Sequence, residues 1–251
     1  MLEIRNLSAG YPGNPVLKEI SLTFPTGTVT VVAGPNGCGK STLLKAMAGI
    51  LPASGEILLN GENLCGLPGR LRARKLAFLP QNRRVPEITA GRLVLHGRFP
   101  YLTYPRQYRK TDYAAAEAAM EALRISHLAH RDLRSLSGGQ QQKVYIAMAL
   151  AQDTDAVLLD EPTAFLDISH QLQLMELAKS LAAKGKTVVL VLHDLTLALE
   201  HADSLVILKN GAVRTVGTAE EIVRSGCLRE VFGVDVGRTQ ISSRWKYFYL
   251  G

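Results

Sequence analysis

The stretch GPNGCGKST, Gly34 to Thr42, lies between a β-branched apolar run, TVTVVAG, and a helical pattern, KSTLLKAMAGI. No other feature limits the fold so tightly. A glycine-rich loop that leaves a buried strand and enters a helix points backbone N–H groups at one spot, and the helix N-terminus adds positive partial charge there. Phosphate is the anion such a cradle fits. The spacing G-x-x-x-x-G-K-[ST] also brings Lys40 within reach of β- and γ-phosphates and offers the Ser41 hydroxyl to Mg²⁺. Gly34, Pro35, Asn36, Gly37, Cys38, Gly39, Lys40, Ser41 and Thr42 are therefore expected to hold a nucleoside triphosphate.

The rest of the chain fits around that unit. LEIRNLS and VLKEISLTF, before the loop, and GEILLNGENL, after it, read as strands separated by Gly and Pro, which predicts an antiparallel N-terminal β subdomain. KLAFLPQ is a short buried strand ending at Pro80-Gln81. From about residue 86 the pattern turns helical, and in TDYAAAEAAMEALRI the apolar Tyr113, Ala116, Met120 and Leu123 recur at helical spacing. Strands then alternate with helices again: AVLLD, a helix over HQLQLMELAKSLAAK stopped by Gly185, TVVLVLH, a helix from Leu195, and SLVIL. That alternation predicts an α/β fold with a largely parallel, buried sheet.

Composition narrows the function classes. At 251 residues and 47% hydrophobic, the chain can bury a real core. No apolar run approaches the roughly 20 residues of a membrane-spanning helix, and MLEIRNLSAG lacks a signal-peptide pattern, so the chain is expected to stay in the cytoplasm. Cys38, Cys65 and Cys227 are odd in number and lack zinc-type spacing, which predicts free thiols. The net charge of +7 is open between a plain solvated face and a membrane-proximal one. Its clusters, RLRARK (70–75) and RQYRK (106–110), do not space aromatics as a base-stacking platform does, and no nucleic-acid partner is expected.

Two further motifs carry chemistry. AVLLDEP places Asp160 at the end of an apolar strand, where a Walker-B aspartate holds Mg²⁺, and adds Glu161, a second carboxylate able to orient and deprotonate an attacking water. LSGGQ gives a Ser137 N-cap followed by Gly138 and Gly139, which let a backbone approach an anion closely, with Gln140 in the first turn. One phosphate loop already covers one side of its nucleotide. A second anion-binding helix start in the same chain therefore predicts a head-to-tail homodimer that shares two sites.

GPNGCGKST, LSGGQ and LLDEP, in this order, resemble the nucleotide-binding subunit of an ATP-binding cassette (ABC) transporter, a likeness that covers nearly the whole chain. The resemblance implies a single P-loop NTPase domain over 1–251. Residues 1–85 and 154–251 would form a RecA-like core with the β subdomain, and 86–153 a helical subdomain bearing the signature motif. It implies ATP and Mg²⁺ as cofactors and adds site residues. These are Tyr11 stacked on adenine, Gln81 on Mg²⁺, Asp167 in a loop crossing the dimer, and His193 near the γ-phosphate. Glu161, His193 and Gln81 would form the catalytic set, with Ser41, Gln81 and Asp160 holding the metal.

HGRFPY (96–101) and IAMALAQDTDAVLLDEPTAFLDISHQLQLMEL (146–177) resemble importers of iron–siderophore complexes, ferric citrate, haem and cobalamin. An exporter's ATPase and a soluble ATPase acting on ribosomes or DNA are the rival readings. The branch implies integral membrane permease subunits docked near Gly97, Arg98 and Tyr101, an indirect substrate-binding protein, and a peripheral place on the cytoplasmic face of the membrane. The chain departs from many relatives in QQQK, where Gln141 and Lys143 replace arginines. Cys38 is expected to lie near bound phosphate, open to thiol reagents unless MgATP protects it. The aromatic tail SSRWKYFYLG is expected to form a terminal strand over the core, with no accessory domain after about residue 235.

Overall fold

The computed structural model describes residues 1–242 and 244–250. Strands β1 (Leu2–Tyr11) and β2 (Asn14–Phe24) form a hairpin, and β3 (Val29–Ala33) leads into helix α1 (Lys40–Met47). There follow β4 (Ala53–Leu59), β5 (Glu62–Asn63), α2 (Gly69–Arg72) and β6 (Leu76–Leu79). Helices α3 (Ala90–His96), α4 (Lys110–Ala122) and α5 (Gly138–Ala151) come next. The α/β alternation resumes with β7 (Ala156–Asp160), α6 (Ile168–Ala183), β8 (Thr187–Val191), α7 (Leu195–His201), β9 (Ser204–Lys209) and β10 (Ala212–Gly217). Helices α8 (Ala219–Arg224) and α9 (Cys227–Phe232) and a ribbon of β11 (Asp235–Ile241) and β12 (Arg244–Leu250) complete the described chain.

The expected α/β architecture is present. A six-stranded sheet runs β10-β9-β3-β8-β7-β6, parallel from β9 to β6, beside a four-stranded antiparallel sheet ordered β2-β1-β4-β5. Side chains alternate along the central strands, and both faces are apolar. Val31, Leu159 and Leu190 face a core shared with α5, α6 and α7, whereas Val32, Leu158 and Val189 face one shared with α1 and the antiparallel sheet. This two-sided burial explains why β7 and β8 are continuous apolar runs, and it holds α1 between the two sheets.

The α4 pattern holds with one exception. Ala116, Met120 and Leu123 are buried, but Tyr113 is exposed and meets Tyr108 edge-on, 6.2 Å between ring centroids. It sits in the first turn, ahead of the packed face. The tail forms the expected terminal strand over the core: β12 pairs with β11 alone, lies against α7 and buries Tyr247 in the core that α7 shares. Only Tyr247 is buried, while Trp245, Phe248 and Tyr249 are partly exposed and the Arg238 guanidinium lies 4.4 Å from the Trp245 ring.

Several arginines turn inward. Arg70 and Arg74 both donate to the Pro100 carbonyl, and Arg72 donates to that of Leu64, so RLRARK fastens the 97–101 segment instead of forming a free basic surface. Arg98 pairs with Asp112 at 3.0 Å and donates to the Ala151 carbonyl, and its guanidinium stacks on Tyr101 at 3.9 Å. Thus Arg98 and Tyr101, expected at a docking surface, are engaged within the fold; the large apolar side chains exposed in this region are Phe99 and Tyr104. Asp112 also accepts from the Arg109 amide, so one carboxylate joins the segment after α3, the start of α4 and, through Arg98, the end of α5.

Truncating one partner of a buried ion pair strands the other charge. Asp112→Ala is therefore expected to destabilise the chain by about 3 kcal/mol in urea unfolding. A second prediction concerns His201, whose ring nitrogens are both buried without partners among the described residues. Burial, with Lys179 nearby, pushes its pKa below the ordinary histidine value. Its neutral form is favoured in the fold, so stability falls as pH drops below about 6.5 and the unfolded chain takes up the proton first. The urea midpoint should fall between pH 7.5 and 5.5, and His201→Phe should flatten that dependence.

Candidate nucleotide site

The loop between β3 and α1 has the geometry its sequence demands. Gly39 caps α1 with φ of 109°, a conformation barred to most side chains, and a Cβ there would lie 2.7 Å from Leu17. Lys40 is buried, its ammonium donating to the carbonyls of Gly34 at 2.7 Å and Pro35 at 3.0 Å, which holds the charge at the loop. Tyr11, partly exposed at the end of β1, accepts a hydrogen bond from Lys45 of α1 at 3.4 Å. Cys38 departs from expectation. Its side chain is buried in the core between α1 and the antiparallel sheet, and burial raises its pKa, so the thiol is a packed, protonated group and not an accessible one.

The Ser41 hydroxyl donates to Asp160 Oδ1 at 3.1 Å. Asp160 is 1% exposed, and its other oxygen, Oδ2, is buried with no partner among the described residues. Burial is the main cause of its raised pKa, adjacent Glu161 adds to the rise, and the Ser41 hydrogen bond, Lys45 and Lys40 oppose it. A desolvated carboxylate oxygen beside a hydroxyl is a donor set that suits a hard, oxygen-seeking cation such as Mg²⁺.

Glu161 follows at the carboxyl end of β7 with a left-handed backbone, φ 52°. Its Oε1 lies 2.6 Å from His193 Nε2, and its Oε2 accepts from the Gln81 amide. Gln81, Glu161 and His193 follow the ends of β6, β7 and β8, which are neighbours in the sheet. The three expected catalytic side chains therefore meet where α/β sheets commonly bind ligands, beyond the carboxyl ends of parallel strands. A strained backbone at the central carboxylate is consistent with a position set by chemistry.

The signature segment forms a second group. Ser137 Oγ accepts from the Gln140 amide at 3.3 Å and Gln140 Oε1 accepts from that of Ser137 at 3.1 Å, a closed capping box at the start of α5. Asp167 caps α6, accepting from the His170 amide at 2.9 Å, which with the His170 ring lowers its pKa. Both groups line an open cleft of roughly 820 Å³ that also includes Gly138, Gly139, Phe165 and Lys143, and no residue of the phosphate loop lines it. Two residues escape sequence reasoning. Phe165, left-handed at φ 64° and exposed, has its carbonyl 3.0 Å from where a Gly139 Cβ would stand. Gln142 is buried and donates to the Pro162 carbonyl at 2.8 Å. The only signal for Gln142 was the run of glutamines, which does not reveal which of them turns inward.

The family profile described as ABC transporter matches residues 17–164. The chain is 41% identical over 231 residues to the ferric enterobactin transport ATP-binding protein FepC of Escherichia coli (strain K12), covering 91% of this chain and 85% of that one. A metal-chelate type ABC transporter in an inward-facing conformation superposes with a TM-score of 0.84 at 29% identity, covering 100% of this chain and 97% of that one. The dimeric structure of MJ0796, a bacterial ABC transporter cassette, superposes with a TM-score of 0.78 at 28% identity, covering 87% and 99%. With its phosphate loop, paired carboxylates and signature helix arranged in this way, the chain belongs to the ABC transporter family and is an ATP-hydrolysing cassette.

Proposed function

We propose that the chain is the ATPase subunit of an importer that carries a ferric chelate, an iron–siderophore complex or ferric citrate, across the cytoplasmic membrane. The observation that carries this reading is the 41% identity to a ferric enterobactin transport protein over 91% of the chain. The full-length likeness to a metal-chelate type transporter supports it.

In this reading Tyr11 stacks on adenine, the 34–42 loop wraps the phosphates, and Lys40 exchanges its carbonyl partners for β- and γ-phosphate oxygens. Ser41, Asp160 and Gln81 hold Mg²⁺, which when bound neutralises phosphate charge. Glu161 takes a proton from the attacking water while the water oxygen bonds to the γ-phosphorus. The bond to the β–γ bridging oxygen breaks, leaving ADP and phosphate. His193, 2.6 Å from the Glu161 carboxylate, holds the γ-phosphate in register with it.

Ser137, Gly138, Gly139, Gln140 and Asp167 serve the nucleotide of a second copy placed head to tail. The separate lining of their cleft supports this, as does the likeness to a dimeric cassette. The exposed Phe99, beside the pinned Pro100 carbonyl, and the exposed Tyr104 offer apolar contact to a cytoplasmic helix of the permease. No helix among the described residues is long and apolar enough to cross a membrane. The subunit works peripherally on the cytoplasmic face, and a substrate-binding protein delivers the cargo to the permease.

Glu161→Gln is expected to leave ATP binding intact, lower kcat by at least 100-fold, and accumulate an ATP-bound dimer on size exclusion; near-normal turnover would remove the base assignment. In cells whose only copy carries Lys40→Ala, uptake of labelled ferric chelates should fall while haem and cobalamin uptake persists. Unchanged uptake of every cargo would overturn the import reading.

A further inference from the structure

The structure contains a partly buried guanidinium that the reaction, as described, does not use. Arg83 lies two residues beyond Gln81, in the segment between β6 and α3. Its Nη2 donates to the Gln142 side-chain oxygen, its guanidinium lies 4.4 Å from the Tyr145 ring centroid, and its Nη1 is buried without a partner among the described residues. No carboxylate pairs with it among the described residues. Desolvation opposes its charge, which is an unfavourable state for a fold to keep without a return.

Gln142 shows where the contact leads. Its amide is 2% exposed, and with its oxygen committed to Arg83 the nitrogen must face the other way. There Nε2 donates to the Pro162 carbonyl at 2.8 Å and to the Glu161 carbonyl at 3.5 Å. Those carbonyls belong to the turn that keeps Glu161 left-handed at φ 52°. Tyr145, one helical turn from Gln142 on α5, donates to the Arg84 carbonyl at 2.6 Å and so fixes the same segment at a second point. The segment therefore meets Glu161 twice, through the Gln81 amide at its carboxylate and through Arg83 and Gln142 at its backbone.

The geometry points to Arg83 and Gln142 as positioning residues for hydrolysis: Arg83 orients the Gln142 amide, and Gln142 holds the strained Glu161 turn in the geometry that presents its carboxylate to water. The inference rests on the reading of Glu161 as general base. It makes turnover sensitive to the seating of α5 against β7, since a shift of α5 withdraws the donor from the turn. A misplacement of about 1 Å at such a centre costs up to about 100-fold in rate.

The test uses the full-length chain, with ATPase kinetics, ATP affinity and thermal midpoint measured together. Gln142→Glu is the decisive variant: it gives Arg83 a carboxylate but puts an oxygen where the turn needs a donor. The expected result is an unchanged or higher thermal midpoint, ATP affinity within about twofold, and kcat lower by 10- to 100-fold. Arg83→Met and Gln142→Leu should each lower kcat with KM preserved, their double variant should be no worse than either alone, and Arg83→Lys should recover part of the rate. Undiminished kcat in Gln142→Glu would overturn the proposal, as would single effects that multiply in the double variant. Glu161→Gln, measured alongside, separates the two readings: if it retains turnover, the base assignment fails; if it abolishes turnover while Gln142→Glu is fully active, only the positioning role fails.

Discussion

The hydrogen bond from the Ser41 hydroxyl to the Asp160 carboxylate joins the phosphate loop to the end of β7, and the site is arranged around it. Strand β3, which leads into the loop and α1, and β7, which ends at Asp160, are not neighbours; β8 runs between them and leads to His193. One polar contact thus spans a strand and fixes the depth of the loop relative to the paired carboxylates. It also leaves the second Asp160 oxygen without a partner among the described residues in a nearly dry setting, a local cost that the two-sided apolar packing of the sheet sustains.

What the sequence made legible is what local geometry decides. The glycine loop and the cap at Ser137 depend on residues a few positions apart, and each is found where its spacing puts it. The meeting of Gln81, Glu161 and His193 is partly legible, because each ends an apolar run. The sideways order of β6, β7 and β8 that brings them together is a property of sheet topology, which no run of residues states.

Side-chain direction is what the sequence withheld. Cys38 sits inside the phosphate-loop pattern, yet its thiol packs into the core, and the motif fixes the backbone path without saying which way that side chain points. Arg70, Arg72 and Arg74 read as surface charge and Arg98 as part of a docking surface, but they spend donors on carbonyls or on Asp112. A long side chain with a planar head can cover apolar surface and satisfy a distant backbone group, and neither charge nor spacing tells which carbonyl it meets. The C-terminal residues alternate as strand sequences do, but alternation does not say whether a strand joins an existing sheet or pairs with its neighbour.

The open cleft beside the signature helix lacks the phosphate loop of its own chain. In a head-to-tail pair each chain is therefore half of two sites, and hydrolysis becomes a matter of mass action. For free chains below their dissociation constant, the paired fraction rises with concentration, so the rate per chain is a variable of the preparation and not a constant of the molecule. Holding two copies side by side on one permease replaces that dependence with a fixed effective concentration, and the rate then answers to the geometry of the assembly.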